Sequence, residues 1–484
     1  MNALTIEETC AIEVHHSGGG VHTREGGGAM EGSFPEAVVS TPRDRRIGSH
    51  HKRRAGVRRI LTSAVTCTLF AGFVVQPAPA AALEGNAVTR WVNESLNAVR
   101  RQRVSTPAAG RLYGMATVAM YDAVNGIEIA RRHGRETAMV SPTGAPIRGN
   151  TTVAAAAAAH AVLSSLTPSQ QANLDAALDS EVNEAGGRDA PAVADGLAWG
   201  ASVGKQVVEI RANDGTQSAL LMPAGSGPGV HRADFDVRYR RMAPFGVRDM
   251  GRYRSAPPPP LTSPEYAEAF NDVKSLGQKD DDPERNEISN FWLAESGTVT
   301  ETGTWFQAAL AIVQQEGTVE SLPDTARLFA LLGMAIADSV TACWDTKAEY
   351  FTWRPTVAIR EADTDGNDST VADPNWTSRI GSVGASPEYN SGTSAFAGAA
   401  SAILEHFYND EHLDFCFITD KASNGPRCYP SAVAGAEEAG RSRIYQGIHF
   451  QFSNLDGRRA GRMIGHDIAT SRLCRVSHGG GTGC

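Results

Sequence analysis

The N-terminal part of the sequence lacks an apolar run of membrane-spanning length. Its best candidate, residues 60–75, is shorter than the roughly 20 residues that a bilayer requires and is diluted by threonine and serine, so we expect no stable membrane anchor. C-x-x-C and C-x-x-H spacings are also missing, which argues against structural zinc. Acidic residues outnumber basic ones, giving a formal net charge of −9, which argues against nucleic acid or an anionic membrane surface as a partner.

The first 82 residues differ in composition from the rest of the chain. They contain glycine triplets and scattered histidines with little apolar periodicity, which predicts no folded domain. Basic residues precede the apolar stretch 60–75, and small residues around Ala80 follow it. This order is typical of a secretory signal peptide. We therefore expect residues 1–82 to be a leader and the mature protein to be secreted or otherwise extracytoplasmic.

The cysteines beyond the leader are few, and their spacing suggests disulfides rather than a metal site. In an exported protein, Cys416 and Cys428 are candidates for a disulfide that closes a short loop. Cys474 and Cys484 form a second candidate pair. This pairing would leave Cys343 as a buried free thiol.

Apolar residues recur at helical spacing through most of the mature chain, and alternating strand patterns are scarce, so the sequence predicts an all-α protein. We expect an N-terminal helical bundle over 83–213, a Gly/Pro-rich connector over 214–262 and a C-terminal helical bundle over 263–484. Two packed bundles are the simplest way for amphipathic helices to bury their apolar faces. The predicted helices cover about 83–101, 110–127, 151–166, 168–185, 190–212, 263–276, 281–295, 305–315, 322–348, 393–408, 432–446 and 456–473.

The connector 214–262 and the insert 361–388 lack helical periodicity. The connector contains aromatic and basic residues that a free linker does not need, which favours a strap across the surface. The insert 361–388 contains Asp363, Asp365, Asp368 and Asp373, but it lacks the spacing and the terminal glutamate of an EF-hand. We expect this insert to be a solvated acidic loop.

Three segments of the C-terminal half carry cations, a hydroxyl or an imidazole near predicted helix ends. In the first, Lys347 and Arg354 are seven residues apart, so a continuous helix would return them to one face. Two solvated cations are the alternative. In the second, Ser391 and Gly392 lie at a predicted helix start, where free N–H groups attract an oxyanion. An ordinary N-cap is the alternative there.

The third segment contains Arg443 and His449. Their six-residue separation would put them on different faces of a continuous helix, so we expect Gly447 to end the helix and turn His449 back. A structural histidine is the alternative. Together the three segments supply cations, a hydroxyl, helix-end amides and an imidazole. These are the groups that hold a multiply charged tetrahedral oxyanion and attack its central atom.

The order and spacing of these segments resemble the superfamily shared by vanadium-dependent haloperoxidases and type 2 phosphatidic acid phosphatases. The superfamily signature reads K-x6-R-P, then P-S-G-H, then S-R-x5-H. This chain has Lys347 to Pro355, then Asn390-Ser391-Gly392-Thr393, then Ser442-Arg443 to His449. The surrounding sequence is similar to the exported bacterial haloperoxidase-like branch, and the resemblance covers most of the mature chain.

The resemblance implies a vanadate cofactor, with phosphate able to occupy the same site. Three cations would neutralise the vanadate oxygens, namely Lys347, Arg354 and Arg443. Ser391 and the Gly392 amide would donate hydrogen bonds to them, and His449 would ligate vanadium. Lys347 would also polarise bound peroxide for attack by halide. The implied partners are hydrogen peroxide, a halide and a small organic substrate.

Three positions depart from the family pattern. In the middle motif, Asn390 replaces the proline and Thr393 replaces the histidine that serves as the acid–base group in the family. A threonine hydroxyl cannot relay protons near neutral pH. We therefore expect bromide or iodide rather than chloride to be oxidised, if halide oxidation is retained. Ser453 stands where the phosphatase branch often has an aspartate, so the sequence reveals no group that orients His449.

Three functions remain open at this point. The chain is predicted to be a vanadate-dependent haloperoxidase, a secreted phosphatase with a histidine nucleophile, or a non-catalytic protein that only binds an oxyanion. The sequence also leaves open whether the protein is a homodimer.

Overall fold

Thirteen α-helices make up most of the part of the chain that the computed structural model describes, which is residues 85–476 and 482–483. The prediction of an all-α protein is confirmed. The helices are α1 (Ala87–Gln102), α2 (Thr106–Ala130), α3 (Thr151–Leu166), α4 (Gln171–Glu184), α5 (Pro191–Ile210), α6 (Pro264–Leu276), α7 (Pro283–Phe291), α8 (Thr300–Gln315), α9 (Leu322–Tyr350), α10 (Pro355–Arg360), α11 (Gly392–Tyr408), α12 (Ala432–Tyr445) and α13 (Gln451–Ser471).

The strands in the described residues are only two or three residues long and form three antiparallel pairs. The pairs are β1 (Leu221–Met222) with β2 (Phe235–Asp236), β3 (Phe415–Phe417) with β4 (Arg427–Tyr429), and β5 (Arg475–Val476) with β6 (Thr482–Gly483). Cys416 and Cys428 lie directly opposite each other in the second pair and are joined by the predicted disulfide. Cys343 is buried and free, as predicted.

The structure tests some of the predictions for the leader, the second cysteine pair and the acidic insert, and leaves others untested. The predicted leader, with its apolar stretch 60–75, lies outside the described residues. Cys474 is disulfide-bonded, while its predicted partner Cys484 lies outside the described residues. The acidic insert is exposed at Asp363 and Asp368, but Asp365 is buried and accepts hydrogen bonds from within its own loop. The prediction of a fully solvated loop is therefore wrong at Asp365.

Helix α9 lies at the centre of the fold and carries the first predicted cation near its C-terminal end. It packs against α2, α11 and α13. By length and composition α9 could cross a membrane, but its apolar stretch is entirely buried among the other helices. Because α2 precedes the connector and α9 follows it, helices from both sides of the connector contact each other. The boundaries of the two predicted bundles stay a prediction.

The connector is attached to α9 by a buried carboxylate. Asp338 is fully buried and accepts three backbone hydrogen bonds, from the amides of Phe245, Gly246 and Val247, at 2.6, 2.7 and 2.9 Å. Further along α9, Asp345 pairs with two connector arginines. A buried carboxylate with three donors is stabilising only while all three donors are satisfied. Asp338 therefore fixes the connector on α9.

We expect Asp338→Asn to lower the free energy of unfolding by about 3 kcal/mol, because the new amide N–H2 faces backbone donors and leaves at least one of them unsatisfied. Burial raises the pKa of Asp338 to about 6, so urea unfolding at pH 8 compares an ionised carboxylate with the amide. Asp363→Asn, at an exposed position, is the matched control and should change stability by less than about 0.5 kcal/mol. Equal losses in both variants would contradict the anchoring role.

Helices α11 and α13 approach each other closely through glycines of α13. A Cβ atom at Gly461 would lie 1.9 Å from the carbonyl oxygen of Ala395, and one at Gly457 would lie 2.5 Å from that of Ser391. Only glycine permits this backbone contact. The contact holds the start of α11 against the first turns of α13, and so brings the second and third predicted motifs together.

Candidate active site

Lys347 lies in the last turn of α9 and is 2% exposed. Its ammonium donates hydrogen bonds to the backbone carbonyls of Pro387 and Glu388, the latter at 3.1 Å. No carboxylate among the described residues forms an ion pair with it. The charge is therefore held by carbonyl dipoles in the loop that precedes α11.

Arg354 does not share a helix face with Lys347, and that part of the prediction is wrong. Helix α9 ends at Tyr350, and Phe351 adopts a left-handed conformation with φ of 46°. The chain thereby turns before Arg354, which occupies the N-cap position of α10. Pro355 is the first residue of this short helix, because proline suits the first helical turn.

Arg354 nevertheless reaches the same loop as Lys347, residues 386–388, which precedes α11. Its guanidinium donates to the carbonyls of Ser386 at 2.7 Å and Ile448 at 2.6 Å, and Nη1 lies 3.0 Å from Nε2 of His449. The side chain is 5% exposed. These contacts join the first motif to the third.

His449 is placed as predicted, by a helix that stops before it. Helix α12 ends at Tyr445, Gly447 has a φ of +77°, and His449 precedes the start of α13. Its Nδ1 lies 2.9 Å from Oε1 of Glu388, which also accepts the backbone N–H of Phe450 at 3.0 Å. The imidazole is thus held at both nitrogens, by a carboxylate on one side and a guanidinium on the other.

Arg443 completes the set of buried cations. It is 6% exposed, and one terminal nitrogen lies 4.0 Å from Oε1 of Glu301. Its Nε and Nη1 are buried and have no hydrogen-bond partner within the described residues. Buried guanidinium donors are normally satisfied. Two unsatisfied N–H groups beside other buried cations are what an anion-binding pocket provides.

The middle motif lies beside these groups, but within the part of the chain that the structure describes its side chains form no hydrogen bond or ion pair with the cations. Ser391 is the N-cap of α11, where its hydroxyl accepts from the amide and the hydroxyl of Ser394. A Cβ at Gly392 would lie 3.5 Å from Cys343, one helical turn before Lys347. Thr393 is 8% exposed. The capping interpretation of Ser391 is therefore realised in the structure, and the free amides at this helix start remain available to an oxyanion.

The electrostatics of the site favour a neutral imidazole among cations. Burial lowers the pKa of His449 well below its usual value, and the charges of Arg354, Lys347 and Arg443 lower it further. Burial also lowers the pKa of Lys347 and raises that of Glu388. Guanidinium groups stay protonated at neutral pH. Three cations thus face two carboxylates, those of Glu388 and Glu301, which leaves an excess of positive charge.

A cavity of about 830 Å³ opens onto this region. Its walls include both site arginines, Arg354 and Arg443, together with Glu301 and the aromatic rings of Phe235 and Trp344. Glu301 accepts a hydrogen bond from the hydroxyl of Thr106 at 2.6 Å. The cavity gives small molecules access to the guanidinium side of the site and has room for more than a single anion.

Sequence reasoning missed two carboxylates of the site. Glu388 lies just before the middle motif. Its partner His449 is 61 residues away, so the sequence alone gave Glu388 no role. Glu301 lies in the first turn of α8, and no pattern in the sequence connects it with Arg443. The one available signal was a glutamate between a proline and a tyrosine immediately before a small-residue helix.

The site is built for an anion rather than a bare cation. Within residues 85–476, no group of three or more His, Cys, Asp or Glu side chains could hold a metal ion. A tetrahedral oxyanion needs instead several hydrogen-bond donors and positive charges. One unprotonated imidazole nitrogen among three cations fits an oxyanion whose central atom accepts a single nitrogen ligand.

Comparisons with known proteins agree with this geometry. The family described as "VCPO second helical-bundle domain" matches residues 327–475, which contain all seven predicted site residues. A bacterial vanadium-dependent iodoperoxidase has a similar structure, with a TM-score of 0.65 and 21% identity over 79% of this chain and 95% of that one. The comparison with curated protein sequences found no match.

A bacterial vanadium-dependent chloroperoxidase is also similar in its holo and apo structures. Both give a TM-score of 0.57 and 17% identity, covering 76% and 75% of this chain and 92% and 94% of those chains. At these identities the likeness establishes the fold. The chain therefore has the fold of the bacterial vanadium haloperoxidases, and its residues 327–475 match the model of the second helical-bundle domain of that family.

Proposed function

We propose that the protein is an exported vanadate-dependent haloperoxidase that uses hydrogen peroxide to oxidise a halide. One observation carries the proposal: a neutral imidazole, His449, lies among three buried cations, one of which has two N–H groups without a partner in the described residues. Vanadate, or phosphate in its place, supplies the missing negative charge. The unprotonated nitrogen of His449 supplies the ligand to vanadium.

Each side chain has a distinct task in this proposal. Arg443 donates its free N–H groups to the oxyanion, and Arg354 and Lys347 add charge from the other side. The N-terminal amides of α11, beginning at Gly392, bind a further oxygen. Bound vanadate supplies the Lewis acidity that activates hydrogen peroxide without a change of its own oxidation state. Lys347 would direct its ammonium N–H groups toward the bound oxyanion and polarise it.

The choice of halide follows from Thr393. Without an imidazole at this position the site has no obvious proton relay beside the oxyanion, so the reaction favours halides that are easily oxidised. We propose bromide or iodide rather than chloride. The 830 Å³ cavity and its aromatic walls are large enough for a small organic molecule that accepts the oxidised halogen.

Acid phosphatase activity is the second candidate, and the contact between Glu388 and His449 favours it. A carboxylate on Nδ1 orients the ring and increases the nucleophilicity of Nε2, which is the requirement for attack on phosphorus. The two candidates use the same pocket and differ in the reaction that follows binding. A protein that binds the oxyanion without turnover is the third outcome.

The test is calorimetric titration of the full chain with vanadate and with phosphate, followed by two assays. We expect vanadate to bind more tightly than phosphate, and bromination or iodination of a phenolic dye to require vanadate and peroxide together. Hydrolysis of a phosphate ester without halogenation would instead establish the phosphatase. Heat of binding without either reaction would establish the non-catalytic protein, and no heat with either oxyanion would contradict all three.

A further inference from the structure

The side of the His449 ring that faces away from Arg354 has its own buried polar contacts, and they determine which ring nitrogen carries the proton. A guanidinium only donates hydrogen bonds, so Nε2, at 3.0 Å from Arg354 Nη1, is the unprotonated nitrogen. The proton is therefore on Nδ1, directed at Oε1 of Glu388 at 2.9 Å. That oxygen accepts a second donor, the amide of Phe450. Hydrogen-bond logic alone thus gives one tautomer.

The second oxygen of Glu388 faces a different set of groups. Oε2 is buried and has no partner within the described residues, and the same is true of Nε1 of Trp353 and the hydroxyl of Tyr266. All three residues line a small cavity of about 30 Å³, whose other walls are mainly proline and phenylalanine side chains. The carboxylate, the phenol and the indole therefore belong to the walls of one cavity.

This cavity matches one water molecule in size and chemistry. A buried water needs a volume of at least about 10–15 Å³ and two to four polar partners. The cavity offers a carboxylate oxygen as acceptor, an indole N–H as donor and a phenol that can do either. A water there would satisfy three buried groups that are otherwise costly to leave unpaired.

We propose that Glu388 is a positioning residue that fixes His449 in the Nδ1–H tautomer, and that a single internal water bound by Glu388, Trp353 and Tyr266 holds this carboxylate in place. The proposal rests on the proposed function, because the tautomer keeps Nε2 unprotonated, and this nitrogen could then exchange its contact with Arg354 Nη1 for vanadium. Partners of this kind typically alter metal affinity 10- to 100-fold. The phosphatase branch often has an aspartate at the position of Ser453. In this chain Glu388, from a different segment, would take over the role of orienting His449.

The tautomer can be measured by ¹⁵N NMR on histidine-labelled protein before any vanadate is added. The signals of His449 are assigned from the difference between the native protein and His449→Ala. We expect a protonated Nδ1 and an unprotonated Nε2 in the native protein. A proton on Nε2 would overturn the proposal.

Variants of Glu388 separate the acceptor from the charge. Glu388→Leu removes the acceptor and should shift the proton toward Nε2 and weaken vanadate binding about tenfold or more. Glu388→Gln retains a carbonyl for Nδ1 and directs its amide toward the water, so it should keep the native tautomer. If the leucine variant does not fold, the glutamine variant still tests the proposal. Loss of the native tautomer in the glutamine variant would show that an acceptor alone does not fix it and would overturn the proposed logic.

Ser453→Ala is the matched control. Ser453 Oγ also lies near Nδ1 of His449, at 3.3 Å. If Ser453 rather than Glu388 fixed the tautomer of His449, the tautomer would change in Ser453→Ala and not in Glu388→Leu. We expect the reverse. The tautomer is measured without vanadate. Failure of the native protein to bind vanadate would therefore refute the proposed function, while the tautomers of the Glu388 and Ser453 variants would still decide the role of Glu388.

A crystal structure of the full chain tests the water. We expect one ordered water within hydrogen-bond distance of Glu388 Oε2 and of Trp353 Nε1. In Tyr266→Phe, which removes one partner without removing volume, the water should become weaker in the electron density. A direct contact between Oε2 and the indole, with no water between them, would overturn this part of the arrangement.

Discussion

His449→Ala is expected to weaken vanadate binding about 1,000-fold, or about 4 kcal/mol, while phosphate binding changes by less than about threefold. The reason is that vanadium accepts the lone pair of Nε2, whereas phosphorus in free phosphate does not. For phosphate, the pocket needs only donors and positive charge, and the neutral His449 supplies neither on its Nε2 side. Calorimetric titration of both oxyanions into the native protein and the variant measures the difference.

Arg443→Met is the matched comparison for this prediction. The guanidinium of Arg443 has two N–H groups without partners in the described residues and only a 4.0 Å approach to Glu301. Its removal therefore breaks few protein contacts, unlike removal of Arg354, which donates to two backbone carbonyls. Both oxyanions should bind about 100-fold more weakly to Arg443→Met, because charge and donors serve each alike. Equal losses of vanadate and phosphate in His449→Ala would contradict the ligand role of His449.

The fold could be predicted from the sequence because its local signals agree. Proline in the first turn and a serine N-cap mark the starts of α6 and α9, and apolar periodicity marks their buried faces. Failures occurred where tertiary contacts decide the outcome. The left-handed Phe351 turns the chain after α9, so Lys347 and Arg354 do not share a helix face, although their seven-residue spacing suggested one.

The candidate site was predicted in its cations and imidazole but not in its carboxylates. Lys347, Arg354, Arg443 and His449 follow fixed spacings, so a pattern can locate them. Glu388 and Glu301 act through contacts made across the fold, where spacing carries no information. Only the structure connects Glu388 with His449, and this contact removes the objection that no group orients the imidazole.

Thr393→His is expected to raise the rate of bromide oxidation about 100-fold in the vanadate-loaded protein. A positioned acid–base group contributes about 10²- to 10⁴-fold to catalysis, and a threonine hydroxyl does not titrate near neutral pH. The gain should appear in kcat, with the vanadate affinity changed much less, because the Thr393 side chain forms no hydrogen bond with the three cations in the described structure. Steady-state assays at saturating vanadate, with affinity measured separately by calorimetry, distinguish the two effects.

Thr393→Gln is the control for this substitution, since glutamine is comparable in size to histidine and does not titrate. A gain in both variants would indicate a change in access to the cavity rather than proton transfer. A folded and vanadate-loaded Thr393→His variant with no gain would show that residue 393 does not limit the rate. Another titratable group must then move the proton, and Glu301, on the cavity wall beside Arg443, becomes the residue to change.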